Sequence, residues 1–273
     1  AGQNACVEVD GAAYWMSENG FFRYAGKLES LPCLVEDFVF DDINMESGNQ
    51  MISAGLNNLF GEVMWFYPQA TSTVVNRMVS YNYFDSSPRR PVWTIGSLSR
   101  TMWQDSAVFT KPHALEYDAG TDTSFDVIGN TEGRTAYYEH ETGTDQNKNG
   151  TITAITSNIS SGDFDITQRI ARGATTGTAD IRGDGEFLMK IRRFIPDFIS
   201  QTGDAQVTLE LRNFPNDTKA SSALGPFTVT SSTQKVDTRA RARSISLKVA
   251  NTGASQSWKL GTFRLDIQPD GRR

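Results

Sequence analysis

The stretch Glu62-Val-Met-Trp-Phe-Tyr-Pro68 places large apolar and aromatic residues at consecutive positions. After a short polar loop come Val74-Val-Asn-Arg-Met-Val-Ser-Tyr-Asn-Tyr83 and then Trp93-Thr-Ile-Gly96. Each run is short, rich in aromatic and β-branched residues, and bounded by Gly, Pro, Asn, Ser or Asp, which is typical of strands joined by tight connections. One face of each strand must be buried against a neighbouring unit, so the three runs predict a β-meander that packs on another.

The middle run also predicts which side chains share a face, because successive residues of a strand point to opposite sides. One face would carry Val75, Arg77, Val79, Tyr81 and Tyr83, and the other Val74, Met78 and Ser80.

Residues 7–34 repeat the same pattern upstream, with short apolar runs separated by Asp-Gly and Asn-Gly pairs that are strong hairpin signals. Residues 35–44 fit either a short helix or a strand. Downstream, runs at 101–103, 107–109, 113–117 and 136–140 continue at the spacing that indicates a sandwich, barrel or propeller. A loose period of roughly 40–50 residues favours propeller blades.

From Thr151 the runs become longer and alternate more regularly. They are Ile152–Thr156, Gly162–Ile166, Phe187–Ile195, Ala205–Arg212, Gly225–Thr230, Arg239–Val249 and Trp258–Ile267. This density of strands favours a β-sandwich. Residues 168–186 have few apolar anchors and predict a long exposed loop. The chain is therefore predicted to be all-β, with propeller-like antiparallel meanders in residues 1–150 and a β-sandwich-like region in residues 151–273.

Charge differs between these two regions. The formal net charge of −6 divides into −11 over residues 1–150 and +5 over residues 151–273, which favours different neighbours for the two regions or chance placement of solvated charge. No stretch approaches the roughly 18 consecutive apolar residues of a membrane span, so a soluble chain without a membrane span is predicted. The start at Ala1, without Met, indicates a processed product or an excised piece of a longer protein.

Few residues suggest reactive chemistry. The two cysteines, Cys6 and Cys33, are predicted to be buried free thiols, because a chain of this size does not need a disulfide. His113 and His140 are the only histidines, and Glu139-His140-Glu141 fits a solvated strand end better than a general base beside carboxylates.

Three acidic segments have an ordinary and a chemical interpretation. Asp145-Gln-Asn147-Lys-Asn149-Gly150 resembles half of a calcium loop but lacks the acidic twelfth residue, which favours a plain hairpin turn. Asp41/Asp42 and Asp163/Asp165 fit acidic turns better than a paired-carboxylate hydrolase. No enzyme activity, cofactor or metal site is predicted.

The run Arg239-Ala-Arg241-Ala-Arg243 is the least ordinary charge feature. Because residues two apart in a strand share a face, the three guanidinium groups project from the same side. The same alternation would place Ile245, Leu247 and Val249 further along that side. Either the strand leaves the core and presents its arginines to a partner, or a bulge exchanges the faces.

With Arg192 and Arg193 added, these residues form the predicted partner-binding site. The absence of interleaved aromatics favours an acidic protein over a phosphate backbone as the partner.

A resemblance is carried by an ordered set of segments. They are Tyr14-Trp-Met16, Leu31-Pro-Cys33, Glu62-Val-Met-Trp-Phe-Tyr-Pro68, Arg77 with Tyr81-Asn-Tyr83, Trp93-Thr-Ile-Gly96, Arg100-Thr-Met-Trp103, Ser161-Gly-Asp-Phe-Asp165, Ile191-Arg-Arg-Phe-Ile-Pro-Asp197 and Phe263-Arg-Leu-Asp-Ile-Gln-Pro-Asp-Gly-Arg-Arg273. In this order the chain resembles the C-terminal part of tail hub or nozzle proteins, of the packaged-DNA stabilisation type, from short-tailed double-stranded DNA phages.

The resemblance implies a structural protein of the virion tail, assembled in the host cytoplasm. It also implies a multi-copy ring, commonly sixfold, below the portal and adaptor, with fibre or spike proteins as further partners. Duplex DNA would pass transiently through its lumen during ejection. Members of this family are usually longer, so the chain is expected to be a C-terminal fragment.

Two other classes of function remain open from the residues alone. A carbohydrate-binding or glycan-cleaving propeller module of a tail spike or secreted protein would use exposed aromatic platforms. Its candidate platforms are Trp15, Trp65, Trp93 and Trp103. A plain DNA-binding protein would show salt-dependent affinity that is lost when Arg239, Arg241 and Arg243 are neutralised.

Overall fold

The computed structural model describes residues 2–106, 108–118, 134–148, 150–166, 187–214, 216–217 and 222–271. It is 53% strand and 6% helix, arranged as several antiparallel sheets, which confirms the all-β prediction. Contacts divide the chain into two compact units, Ala1–Thr142 (unit 1) and Gly143–Arg273 (unit 2). The described residues contain no helix long and apolar enough to cross a membrane.

Unit 1 contains three antiparallel sheets whose strands follow one another in chain order. The first meander is β1 (Cys6–Val9), β2 (Ala12–Met16), β3 (Phe21–Tyr24) and β4 (Leu28–Ser30). The second meander is β5 (Ser53–Asn57), β6 (Glu62–Tyr67), β7 (Arg77–Asn82) and β8 (Trp93–Gly96). The third meander is β9 (Met102–Gln104), β10 (His113–Asp118) and β11 (Arg134–Glu139).

The segment between the first two meanders is helical, which resolves the ambiguity over residues 35–44. It contains α1 (Glu36–Asp42), α2 (Met45–Gly48) and a 3₁₀ turn, Asn49–Met51. Val39 of α1 is fully buried in the core between the first and second meanders. The helix therefore closes that core.

Strand β6 is buried on both of its faces. Its odd positions, Val63, Trp65 and Tyr67, belong to a core shared with the first meander. Its even positions, Met64 and Phe66, belong to a second core shared with the third meander. The run of consecutive apolar residues in the sequence therefore corresponds to a strand that lies between two other sheets.

The three meanders stack face to face in chain order. Between the first and second, the rings of Phe21 and Trp65 have centroids 4.9 Å apart. Between the second and third, Phe66 stacks on Trp103 at 5.9 Å. The first strand of each meander lies beside the first strand of the next, as in neighbouring blades of a propeller.

Gly55 on β5 permits the closest of these approaches, because a Cβ there would lie 2.7 Å from Cβ of Trp103. Only a residue without a side chain fits at this point of the stack.

The predicted pattern of faces in β7 is correct from residue 77 onward and wrong before it. Val79, Tyr81 and Tyr83 pack in the first core, whereas Met78 lies in the second, as alternation requires. Val75, expected to share the face of Val79, instead lies in the second core with Met78. The reason is that the strand begins at Arg77, so Val75 precedes the regular alternation.

Unit 2 is a β-sandwich with two small additional sheets. One main sheet has the order β14 (Ser157–Ser160), β20 (Ser244–Asn251), β17 (Ala205–Arg212), β18 (Ala223–Val229), and the other has the order β19 (Val236–Ala242), β15 (Met189–Ile195), β22 (Arg264–Pro269). The additional sheets pair β12 (Asp145–Lys148) with β13 (Thr151–Ala154) and β16 (Phe198–Thr202) with β21 (Ser257–Leu260). Apolar side chains from both main sheets form one core that includes Ile191, Phe194, Val207, Leu209 and Val249.

Two predicted strands of unit 2 are each two strands in different sheets. Residues 239–249 divide at Arg243, where β19 ends in one main sheet and β20 begins in the other. Residues 258–267 divide between β21 and β22 in the same manner. Alternation continues on each side of such a corner, so the sequence pattern does not reveal it.

Three other predictions in unit 2 concern a strand, the boundary between the regions and a loop. Gly162–Ile166 is not a strand but contributes a single bridge, Phe164 to Ile245. The predicted boundary lies between residues 150 and 151, and the contact division lies after Thr142, which places the paired strands β12 and β13 together in unit 2. The predicted loop at 168–186 lies outside the described residues.

The first testable consequence concerns Trp65, which is fully buried and donates a hydrogen bond from Nε1 to the Ala5 carbonyl oxygen at 3.0 Å. We expect Trp65→Phe to lower the free energy of unfolding of unit 1 by about 2 kcal/mol, because it leaves a cavity and removes one of the two hydrogen bonds that the Ala5 carbonyl oxygen accepts, the other coming from the backbone N–H of Met16. Chemical denaturation measures the loss. Trp15→Phe, at a half-buried position of the first meander, is the control and should cost less than about 1 kcal/mol; equal losses would contradict the assignment of Trp65 to the core.

Candidate partner-binding surface

The outer face of the sheet formed by β19, β15 and β22 concentrates positive charge. We call it the cationic face, and its members are Lys190, Arg192, Arg193, Arg239, Arg241 and Arg264 with the carboxylates Asp237, Asp266 and Asp270. Six cations against three carboxylates give this face a formal charge of +3. The face therefore attracts anionic groups.

Alternation on β19 produces this exposure. Thr238, Ala240 and Ala242 point into the core of unit 2, so Arg239 and Arg241 point outward. The small alanines allow β19 to lie close over the core, and the Thr238 hydroxyl donates to the Ile191 carbonyl oxygen at 2.8 Å. The same residues that anchor the strand thus hold its arginines at the surface.

A β-bulge in the neighbouring strand adds to the face. The register of β15 shifts between Ile191 and Arg193 on both sides, and Arg192 is exposed at this bulge. Bulges bend a strand and re-aim its side chains, so Arg192 and Arg193 both contribute to the outer surface.

Part of the charge is neutralised within the sheet. Nε of Arg193 lies 3.6 Å from a carboxylate oxygen of Asp237 on one side and of Asp266 on the other. Arg241 pairs with Asp270 beyond the end of β22. Exposed pairs of this kind contribute no more than about 1 kcal/mol each, so they orient side chains rather than stabilise the sheet.

The remaining cations lack such a partner among the described residues. Lys190, Arg192, Arg239 and Arg264 form no ion pair with another residue that the structure describes. These side chains are accordingly the ones with which an acidic surface would pair.

The structure brings together four of the five residues predicted for the site. Arg239 and Arg241 lie on β19, and Arg192 and Arg193 lie on β15 beside it. Arg243, predicted on the same face, instead lies half-buried at the corner where β19 ends, and its backbone N–H donates to the Arg212 carbonyl oxygen at 3.1 Å. Neither alternative is observed as predicted, because the faces are exchanged at Arg243 by a change of sheet and not by a bulge.

Sequence reasoning missed Lys190 and Arg264. A signal existed for Arg264, because it alternates with Leu265 and Ile267, which face the core. The terminal Arg272-Arg273 lies outside the described residues.

A second cluster of polar residues lies inside the third meander. Arg100 is 4% exposed, and its Nε donates to Nε2 of His140 at 2.9 Å. Its Nη1 donates to Oε2 of Glu116 at 3.1 Å, and its guanidinium carbon lies 4.0 Å from the centre of the Tyr138 ring. The charge of Arg100 is therefore compensated by Glu116 and by the face of an aromatic ring.

His140 is neutral in this arrangement. Burial, the neighbouring Arg100 and His113 lower its pKa from the ordinary value of 6.5 to about 4. The ring also packs on Trp103 with centroids 4.5 Å apart. The prediction of a solvated strand end is therefore wrong for His140, which accepts a hydrogen bond in a half-buried position.

The other candidate residues are engaged in internal contacts. Ring N–H groups of Trp65, Trp93 and Trp103 donate to backbone carbonyl oxygens of Ala5, Pro32 and Leu56 at 3.0, 2.8 and 2.9 Å. Trp15 is half-buried and stacks on Phe22.

The acidic candidates also have partners. Asp42 pairs with Arg77 at 3.3 Å and Asp163 with Arg212 at 3.0 Å. The carboxylate of Asp145 accepts hydrogen bonds from Ser255. Strands β12 and β13 pair as the hairpin that the sequence favoured over a calcium loop. Within the described ranges, no three or more His, Cys, Asp and Glu residues form a group that could hold a metal ion.

Both cysteines are free thiols, as predicted, but only one is shielded. Cys33 is half-buried, and burial raises its pKa to about 11. Cys6 is exposed on β1, so the prediction that it is buried is wrong. Its side chain points to the outer face of the first meander, opposite to that of Val7.

No family model matches the chain, and no curated protein matches it significantly.

The lowered pKa of His140 predicts how the free energy of unfolding of unit 1 depends on pH. Because the folded state keeps His140 neutral down to about pH 4 while an unfolded chain protonates it near 6.5, unfolding takes up a proton in this window. The stability of unit 1 should therefore fall as the pH drops from about 6.5 to about 4. His140→Gln can still accept from Arg100 but does not titrate, so its stability should depend less on pH.

Urea denaturation followed by Trp fluorescence at several pH values measures the difference between the two proteins. Carboxylates titrate in both, so the wild-type curve minus the variant curve isolates the histidine. Parallel curves across the window would contradict the assignment of a buried neutral His140.

Proposed function

We propose that the chain is a structural component of a phage tail, a hub or nozzle part that assembles with itself and with other tail proteins around a DNA conduit. The observation that carries the proposal is that the residues capable of chemistry and the exposed positive charge lie in different parts of the protein. The polar and aromatic candidates for chemistry are engaged inside the sheets, and surplus positive charge lies on one exposed sheet face. This pattern is typical of a protein that docks partners.

The resemblance to tail hub and nozzle proteins supports the same proposal. Trp65, Trp93 and Trp103, which carry much of that resemblance, pack in or against the cores of unit 1. The similarity therefore lies in architecture, which is what a structural role requires. A ring of copies, commonly sixfold in the family, with adaptor and fibre or spike proteins as neighbours, is part of the proposal.

The cationic face is the proposed site for acidic partner proteins. Arg192 and Arg239 are exposed on adjacent strands without an ion pair to another described residue, and no aromatic residue interleaves them. Without a stacking platform the face contacts anions through charge alone, which suits an acidic protein surface and only transient contact with DNA.

The glycan-binding alternative gains no comparable support. Three of its four candidate platforms have their ring N–H groups bonded to the backbone of unit 1. A glycan array with the whole chain would favour that alternative if it showed binding that Trp15→Ala abolishes.

A complementation experiment tests the tail proposal in the phage that encodes the chain. Phage particles assembled from a genome that lacks the complete gene for this chain should not be infectious. A plasmid that supplies the gene should restore infectivity. The double variant Arg192→Glu with Arg239→Glu should fold but be incorporated poorly, because it reverses the charge that pairs with an acidic neighbour. Immunoblots of purified particles and titres of infectious phage measure the outcome.

The matched control is Arg89→Glu with Arg90→Glu, two exposed cations of unit 1, which changes the net charge by the same amount. If the two double variants were incorporated equally well, the cationic face would not be the site that binds the acidic partner. Absence of the chain from purified virions would overturn the tail assignment itself.

A DNA mobility-shift titration separates acidic protein from phosphate backbone as the partner. We expect duplex DNA to shift only at low salt, since transient passage requires weak binding. Tight binding at physiological salt that the Arg192/Arg239 variant abolishes would instead identify a DNA-binding protein.

A further inference from the structure

The stack of three meanders in unit 1 leaves a sheet face exposed at each end. The leading face is the outer side of the first meander and carries Cys6, Trp15, Phe22, Tyr24 and Leu28. The trailing face is the outer side of the third meander and carries Met102, His113, Leu115, Tyr117 and Tyr137. Each face also carries one carboxylate, Glu8 on the leading face and Glu139 on the trailing face, but both faces remain unusually apolar and aromatic for a surface that meets only water.

The leading face is a continuous row across strands. Trp15 lies directly opposite Phe22 on the neighbouring strand, and their rings stack with centroids 5.8 Å apart. Tyr24 lies opposite Leu28, which is 59% exposed. The row thus combines ordered aromatic rings with apolar side chains that no described residue of unit 1 covers.

The trailing face has the same character. Leu115 lies between Met102 on β9 and Tyr137 on β11. Tyr137 is 64% exposed, and its ring stacks on His113. Phe109 packs edge to face on His113 and extends the surface.

The interior of unit 1 shows how such faces are covered. The inner face of the first meander packs on the second through Phe21 and Trp65, and the other face of the second packs on the third through Phe66 and Trp103. Each step places one aromatic sheet face on the next in chain order. The leading face and the trailing face are the two surfaces that one further contact of this kind requires, and the same chain carries both.

We propose that the trailing face of one copy packs on the leading face of a second copy, head to tail. Up-and-down meanders that stack around an axis close into a ring of about four to eight sheets. The described residues of unit 1 form three such sheets in each copy, so two copies supply six, which lies within that range. A two-fold axis makes both contacts equivalent, and no end face remains exposed.

This inference does not rest on the tail proposal, since it uses residues of unit 1 only. It also predicts a different readout, which is the number of copies in solution. Three such pairs would contain the six copies of the ring that the resemblance implies, but the pair is expected in the absence of any tail protein.

Sedimentation or light scattering of the purified whole chain tests the proposal. We expect a species of twice 30.2 kDa that dissociates on dilution. Tyr137→Glu on the trailing face and Leu28→Glu on the leading face should each give a monomer, because each variant damages both contacts of its own homodimer. Both residues are exposed, so far-UV circular dichroism should be unchanged.

Mixing the two variants provides the sharpest test. A heterodimer of Tyr137→Glu and Leu28→Glu regains one contact between two unaltered faces, so association should reappear in the mixture, weaker than in the wild type. The control is Ile159→Glu on β14 of unit 2, which is 49% exposed and should leave the dimer intact.

Three results would overturn the proposal. They are a wild-type chain that stays monomeric at every concentration, a dimer that survives both face variants, and an assembly of more than two copies that both variants leave unchanged. A mixture that remains monomeric would exclude the head-to-tail arrangement even if each variant alone dissociates.

Discussion

Burial of β6 on both of its faces is the constraint on which unit 1 depends. A strand whose odd and even positions are all large and apolar needs a sheet on each side. Val63 and Trp65 therefore face the first meander, and Met64 and Phe66 face the third. The second meander becomes the middle layer, and the order of the layers follows the order of the chain. The exposed faces at the two ends are a direct consequence of that stack.

The same packing accounts for the polar groups inside unit 1. Indole N–H groups buried between sheets must donate to something, and backbone carbonyl oxygens of neighbouring segments accept from Trp65 and Trp103. Arg100 is buried in the same manner and is satisfied by His140 and Glu116. The indole N–H groups thus link neighbouring sheets, whereas Arg100, Glu116 and His140 satisfy one another within the third meander.

In unit 2, the surroundings of a side chain depend on where the chain passes from one sheet to another. Two stretches of continuous alternation each pass from one sheet into another, and the crossing at Arg243, between the two main sheets, reverses which parity faces the core. Before the corner, Ala240 and Ala242 are buried and the arginines are exposed; after it, Ile245 and Val249 are buried. Because the corner falls at Arg243, only Arg239 and Arg241 of the three arginines lie on the cationic face.

The sequence by itself determined the all-β class, the positions of most strands, and the face on which Arg239 and Arg241 lie, because these depend on local alternation and on turn residues. It did not determine that residues 239–249 form two strands, that Val75 precedes its strand, or that His140 is buried against Arg100. Those features depend on which segments meet across the fold, where a sheet change or a distant neighbour alters a side chain's surroundings without altering the local pattern. Only the tertiary structure decided them, because burial, pKa and the composition of a surface are properties of packed neighbours and not of adjacent residues.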